Sequence, residues 1–150
     1  MSDSAPASTK ALIKDPLSQT LGLERIVLMD GEAGRAILEY RAGIHMCHSG
    51  GVVQGGFITG WLDAAMAHAV IAAVGHDVTP MSLELKVSFF APTGPGLVTA
   101  EGWIERRGKS TCFGEARLLN PAGEVLAKCS STLRLISRAK VEARTRGSDA

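Results

Sequence analysis

The chain has 150 residues, 45% hydrophobic and 21% charged, with a formal net charge of +1. That length suits one domain with a core of its own. The near-neutral balance excludes a global field that gathers nucleic acid or an anionic membrane, and two Trp, one Tyr and four Phe are too few for base-stacking platforms.

Residues 1–10, MSDSAPASTK, are small and polar, without the apolar run of a signal peptide, and are expected to be disordered. The folded domain is expected to span 11–137. LIKDPLSQTLGL reads as a short helix or turn leading into two strands, ERIVLM (24–29) and RAILEY (35–40), joined by the turn DGEAG, whose Asp and Gly supply hairpin dihedrals. A loop over 41–54 precedes a helix from Gly55 to Val74, closed by Gly75. Phe57 to Val74 is apolar enough to raise the question of a membrane span, but it carries Asp63 and His68, so a buried helix is the better reading.

In SLELKVSFF (82–90), Leu83, Leu85, Val87 and Phe89 alternate with Ser82, Glu84, Lys86 and Ser88. Period two predicts that the first set faces the core. APTGPG breaks the pattern, and strands follow at 97–106, 110–119 and 124–137, separated by RGK (107–109) and NPAG (120–123). Residues 138–150 have mixed charge and little to bury, and are expected to fray. The predicted class is α+β: an antiparallel sheet packed on one central helix. A helix apolar on nearly all sides must be covered on nearly all sides, and the part a single sheet leaves open predicts a second protomer.

Three cysteines, Cys47, Cys112 and Cys129, form no framework and are read as free thiols in a reducing cytoplasm, the last two in the core. His45, Cys47 and His48 are spaced too closely for a zinc loop, and His48 as base for a Cys47 nucleophile is disfavoured because sequence neighbours seldom meet that way. No metal is expected. His68 reads as a core or interface histidine and His76 as an exposed one. No P-loop or dinucleotide fingerprint is present.

The chemistry concentrates on the helix. At its start, Gly55 and Gly56 leave backbone N–H groups without internal partners at the positive end of the dipole, and admit close approach of a ligand. This is a candidate oxyanion site, or simply a tight junction. Asp63 lies eight residues after Gly55, too deep to cap the helix, with no basic residue one turn away. A carboxylate in apolar surroundings needs a partner, a wet cleft or a chemical role. The rise of about 12 Å from Gly55 to Asp63 is too long for both to act on one carbonyl. Two antiparallel helices from two protomers would remove that difficulty.

HSGGVVQGGFITGWLDAAMAHAV (48–70) and SLELKVSFFAPTGPG (82–96), with RRGKST and NPAGEVLAKCSSTLRL beyond them, resemble the hotdog-fold acyl-CoA thioesterases of the phenylacetate-pathway and 4-hydroxybenzoyl-CoA type, over roughly 40–137. The resemblance implies a hotdog fold, a curved antiparallel sheet around one long helix. It also implies a homodimer that can pair into a tetramer, and hydrolysis of a small, medium-chain or aryl acyl-CoA to the free acid and CoA. Gly51, Gly55, Gly56 and Asp63 fit the family pattern. His48 stands where Asn or Gln is usual, Gln54 where His is common, and Ala91 where many members have Arg.

Carried over by position, the Gly55 N–H polarises the thioester carbonyl and Asp63 is general base or nucleophile. Ser82 orients water, Gln54 adds a hydrogen bond near the carbonyl, and His48 replaces the usual amide as a donor. Gly56 and Thr59 face the substrate, although Thr59 could equally back-bond to the helix. Trp61, Phe57 and Met66 could line the acyl pocket but suit core packing better. Arg106, Arg107 and Lys109 form the best local cluster for the phosphates of CoA. No cofactor is required, CoA being part of the substrate. Two alternatives stay open on these residues: a hotdog hydratase or dehydratase of enoyl or hydroxyacyl thioesters, and a non-catalytic acyl-CoA-binding protein.

Overall fold

The computed structural model describes residues 15–147; the segment 1–10 expected to be disordered lies outside them. Helix α1 (Pro16–Leu21) starts on Asp15, whose carboxylate accepts from the Ser18 N–H at 3.2 Å, with Pro16 in the first turn. Strands β1 (Leu23–Asp30) and β2 (Arg35–Ala42) form the expected hairpin, its turn held by the Ala33 N–H donating to Asp30 Oδ1 at 2.9 Å. A 3-10 turn (Ile44–Met46) and a loop lead to α2 (Gly55–Val74). Then come β3 (Val78–Phe89), β4 (Gly96–Arg107), β5 (Thr111–Leu119), β6 (Val125–Ser137) and α3 (Arg138–Gly147).

The six strands form one antiparallel sheet in the order β1-β2-β4-β5-β6-β3. The chain leaves α2 for the far edge of the sheet, so β1 and β3 are the edge strands. The sheet curves round α2 and buries Ile58, Trp61, Leu62, Ala65, Met66, Ala69 and Val70. These recur at three- and four-residue steps and so share one face of a helix that is apolar nearly all round. Trp61 stacks on Tyr40 with ring centroids 5.7 Å apart, and its Nε1–H donates to Leu21 O at 2.7 Å, fastening α1 to the core. At Gly102 in β4 the helix lies against the sheet backbone: a Cβ there would come within 2.4 Å of the Ala65 carbonyl, so only glycine permits this approach. Cys112 and Cys129 are core residues, as expected. By length and composition α2 could cross a membrane; here it is the helix on which the sheet packs. Its other face, with Gly60, Asp63, Ala64, Ala67 and His68, is only half-buried.

Two expectations are corrected. The simple alternation through 82–90 fails at Leu83, where a register shift falls between Ser82 and Glu84 in the pairing of β3 with β6. Leu85 and Val87 pack on the core as predicted, but Leu83 is 60% exposed and Phe89 53% exposed. The bulge changes the parity of everything before it: Ser82, expected on the outer face, pairs with the core residue Leu133 and turns toward α2. The second correction is the tail. Residues 138–147 wind into α3, started by the Ser137 hydroxyl, which accepts from the Lys140 N–H at 3.2 Å. Glu142 bridges Arg138 at 2.9 Å and Arg146 at 3.1 Å, both at four-residue spacing.

Candidate active site

The loop before α2 is built by its own backbone. His48 N–H donates to Val52 O, and Gly51 N–H returns to His48 O with Gly51 at φ +73°, a left-handed conformation that favours glycine. Val53 N–H then donates to Thr93 O at 2.8 Å, tying this loop to the one after β3. Gln54 caps the helix: its Oε1 accepts from the Gly56 N–H at 2.8 Å. The Gly56 N–H, expected to serve the substrate, is therefore engaged, and the Gln54 carbonyl oxygen with it. The Gly55 N–H meets no acceptor among the described residues, as the first amide of a helix must unless a side chain or ligand supplies one.

Gly55 opens onto a cleft of about 450 Å³ walled by Val52, Ile58, Phe89, Phe90 and Thr93. The Phe89 ring passes directly over Gly55, so that a Cβ on the glycine would lie 3.1 Å from Cζ. Phe89 was expected in the core and Phe90 was assigned no role. Their only signal in the sequence is an aromatic pair immediately before the Pro-Gly turn. Thr93 is 2% exposed and its hydroxyl has no hydrogen-bond partner among the described residues.

Asp63 sits on the half-open face of α2. Ser82 Oγ donates to Asp63 Oδ1 at 2.6 Å, a length typical of a charge-assisted bond from a hydroxyl to a carboxylate. The bulge at Leu83 makes this contact possible. Among the described residues no cation lies within ion-pair distance of Asp63. The carboxylate is felt by its neighbour Cys129, whose thiol is raised to about 11, first by burial and then by the charges of Asp63 and Glu115.

The other expected residues are spread along the fold. Thr59 back-bonds, its hydroxyl donating to Gly55 O at 2.8 Å. His48 is exposed, and its Nδ1 accepts from the Gly50 N–H at 3.3 Å, the behaviour of a loop histidine satisfied locally. Trp61 and Met66 are fully buried core residues. Arg107 Nη1 donates to Ala73 O at 3.4 Å, covering a carbonyl at the C-terminal end of α2. With Arg106 and Lys109 it lies at the opposite end of α2 from Gly55, a helix length of about 30 Å. His68 is held by Nδ1 against Ala64 O at 2.7 Å, while its buried Nε2 has no partner among the described residues. Burial lowers its pKa, which the Ala64 contact partly opposes.

The chain thus carries a helix-start amide with no acceptor among the described residues beside an apolar cleft, and a hydroxyl-bonded carboxylate two turns further along. Residues 50–127 match the family model of the thioesterase superfamily. A phenylacetic acid degradation-related protein of Ralstonia eutropha JMP134 is 30% identical, superposes with a TM-score of 0.73, and the match covers 88% of this chain and 93% of that one. The Saccharolobus solfataricus protein SSO2140, an esterase by name only, is 29% identical over 75% of this chain and 79% of its own. A hypothetical thioesterase from Streptococcus pneumoniae TIGR4, solved with coenzyme A, shares the fold at 17% identity and a TM-score of 0.69, over 75% of this chain and 85% of that one. The chain belongs to the thioesterase superfamily, has the hotdog fold, and is a thioester hydrolase.

Proposed function

We propose that this protein hydrolyses acyl-CoA thioesters with a small, medium-chain or aryl acyl group, in the cytoplasm, at sites each completed by two copies of the chain. The reading is carried by the 2.6 Å bond from Ser82 to Asp63: a carboxylate with no cation beside it among the described residues, on an open helix face, held by a hydroxyl. Asp63 takes a proton from water as the oxygen attacks the carbonyl carbon. Negative charge gathers on the carbonyl oxygen and is met by the Gly55 N–H of the other copy. The tetrahedral intermediate collapses, the C–S bond breaks, and the CoA thiolate leaves and takes up a proton. Ser82 fixes the carboxylate and the attacking water. The cleft walled by Phe89 and Phe90 suits an apolar or aromatic acyl group, in keeping with the phenylacetic acid context of the Ralstonia relative.

The need for two copies follows from the helix rise of about 12 Å between Gly55 and Asp63. The exposed apolar residues Met81, Leu83, Phe89 and Phe90 lie on or beside the unpaired edge of β3, which invites pairing with another strand. Pairing of two such dimers into a tetramer is part of the same reading.

Thiol release over a panel of acyl-CoAs tests the activity. Free CoA appearing with aryl or medium-chain substrates, and lost in Asp63→Asn, is expected; turnover that persists in Asp63→Asn refutes the base. An enoyl absorbance change without thiol release points to a hydratase, and binding without either reaction to a non-catalytic acyl-CoA protein. Mixed dimers of Gly55→Pro and Asp63→Asn chains test the shared site, since one of the two sites regains both groups. Confirmed mixed dimers without recovered activity refute it.

A further inference from the structure

Helix α3 packs on β6 and β3 over the face of the sheet turned away from α2. The pairing decides which face: Ser82 and Leu133 oppose each other and point to α2, so their paired neighbours Met81 and Arg134 point outward. Between this face and α3 lies a groove of about 540 Å³, within the range of about 300–1,000 Å³ typical of small-ligand sites. Met81, Ile136 and Val141 give it an apolar lining, and Arg134, Lys140 and Arg144 give it three cations.

The charges on α3 are sorted. Arg138 and Arg146 share one carboxylate, Glu142, as ion-pair partner. Among the described residues, Arg134, Lys140 and Arg144 have no carboxylate within ion-pair distance. Lys140 and Arg144 are four residues apart, a spacing at which like charges on a helix repel and cost stability. Arg134 adds a third positive charge from the strand beneath. An anion among the three converts that repulsion into charge-assisted hydrogen bonds. The apolar lining beside it suits a flat ring rather than a bare inorganic ion. Ser110, at the rim of the groove, joins it to the turn that carries Arg106 and Lys109.

We infer that this groove binds a nucleoside phosphate, with its phosphates on Arg134, Lys140 and Arg144 and its base against Met81, Ile136 and Val141. Two sources carry this chemistry: the 3′-phosphorylated ADP end of CoA, which rests on the acyl-CoA reading above, and a free adenine nucleotide acting as a regulator.

Calorimetric titration of the full-length protein with 3′,5′-ADP, ATP and inorganic phosphate tests the site without any turnover. Binding of 3′,5′-ADP or ATP is expected, weakening with salt. Each of Arg134→Gln, Lys140→Gln and Arg144→Gln should weaken it about fivefold to tenfold, and the triple variant about a hundredfold to a thousandfold. Arg138→Gln, whose charge is already paired, should leave it unchanged. The triple variant should melt at or above the wild-type temperature, because it removes repulsion. No binding of either nucleotide at millimolar concentrations, or wild-type binding by the triple variant, overturns the inference. Inorganic phosphate binding as tightly as the nucleotides overturns the nucleoside part.

Kinetics separate the sources. If CoA supplies the nucleotide, the triple variant raises KM for an acyl-CoA, leaves kcat, and leaves KM for the same acyl group on pantetheine. If a free nucleotide is the ligand, KM for acyl-CoA stays put while nucleotide binding is lost. A protein that hydrolyses no thioester defeats the acyl-CoA reading and leaves the binding isotherm to decide this one.

Discussion

Gly55→Pro removes one functional atom, the amide hydrogen proposed to meet the oxyanion, and the local backbone tolerates it. Gly55 is the first residue of α2, where a missing N–H breaks no helix bond and a proline φ already suits the helix. Gln54 before it is extended, at φ −64° and ψ 136°, the conformation a residue preceding proline requires. The added carbon meets the Phe89 ring at about 3.1 Å. That ring is more than half exposed and can swing away. Gly55→Ala makes the same contact and keeps the N–H, so the difference between the two variants isolates the donor. Loss of one oxyanion donor costs about a hundredfold to a thousandfold in kcat, roughly 3–4 kcal/mol. Thiol-release kinetics on the best acyl-CoA, with circular dichroism to verify the helix, provide the measurement. A Gly55→Pro enzyme within about threefold of Gly55→Ala, far short of that loss, refutes the assignment.

Ser82→Ala removes a hydrogen bond to a charged group worth about 1.5–3 kcal/mol and should lower kcat about tenfold to a hundredfold. In an Asp63→Asn background the same change should cost little, because the two act as a unit; equal losses in both backgrounds mean that they do not. Burial raises the Cys112 thiol, and burial with the Asp63 charge raises Cys129 to about 11, whereas Cys47 is half-exposed. A disulfide reagent at pH 8 should therefore label Cys47 alone in the native protein and all three thiols in denaturant; rapid native labelling of Cys129 contradicts the packing. His68 has its pKa lowered by burial, so below about pH 6.5 the unfolded chain binds the proton more readily than the folded one. Stability is then complete above that pH and declines as pH falls toward the folded value. Urea midpoints between pH 5 and 8 should show this slope for the wild type and a flatter one for His68→Gln; equal slopes refute the cause.

What could be read from the sequence was what local chemistry decides. The bounds of α2 follow from Gly55 and Gly75, and the hairpins from DGEAG and NPAG, because glycine and Asx residues set turns within a few positions. Asp63 stood out because no neighbour on its own helix could satisfy it. Its bond to Ser82 was legible only through the resemblance: strict alternation places Ser82 on the outer face, and no glycine or proline marks the bulge that turns it inward. That bulge is chosen by the fit of β3 against β6 and α2. The α3 helix was missed for a related reason. Its Arg–Glu–Arg ladder is a helical signal, but the sheet face under Val141 exists only after β3 and β6 have paired. Gln54 was expected to add a hydrogen bond near the substrate carbonyl; its oxygen caps the helix by accepting from the Gly56 amide, a role not assigned to it from the sequence.

The bulge also bears on how two copies could meet. Ser82 and Phe89 lie near opposite ends of β3, about 20 Å apart at the rise of a strand, one beside Asp63 and the other over Gly55. Suppose β3 pairs antiparallel with the β3 of a second copy about an axis through Lys86. Leu85 then faces Val87, Glu84 faces Ser88, and the two bulge residues Ser82 and Leu83 together face Phe89, because a bulge sets two residues against one. Asp63 of each copy is thereby carried toward the Gly55 of the other, twice over, as a two-fold axis demands. Without the bulge, Ser82 would face outward and the same register would set Leu83 against Phe89. Lys86 on the axis meets itself, so Lys86→Cys should form a disulfide-linked dimer on mild oxidation, its Cβ atoms lying within about 5.5 Å. Lys86→Cys that links no faster than wild type, whose Cys47 sets the background, or no faster than Arg25→Cys on the opposite edge, refutes this register.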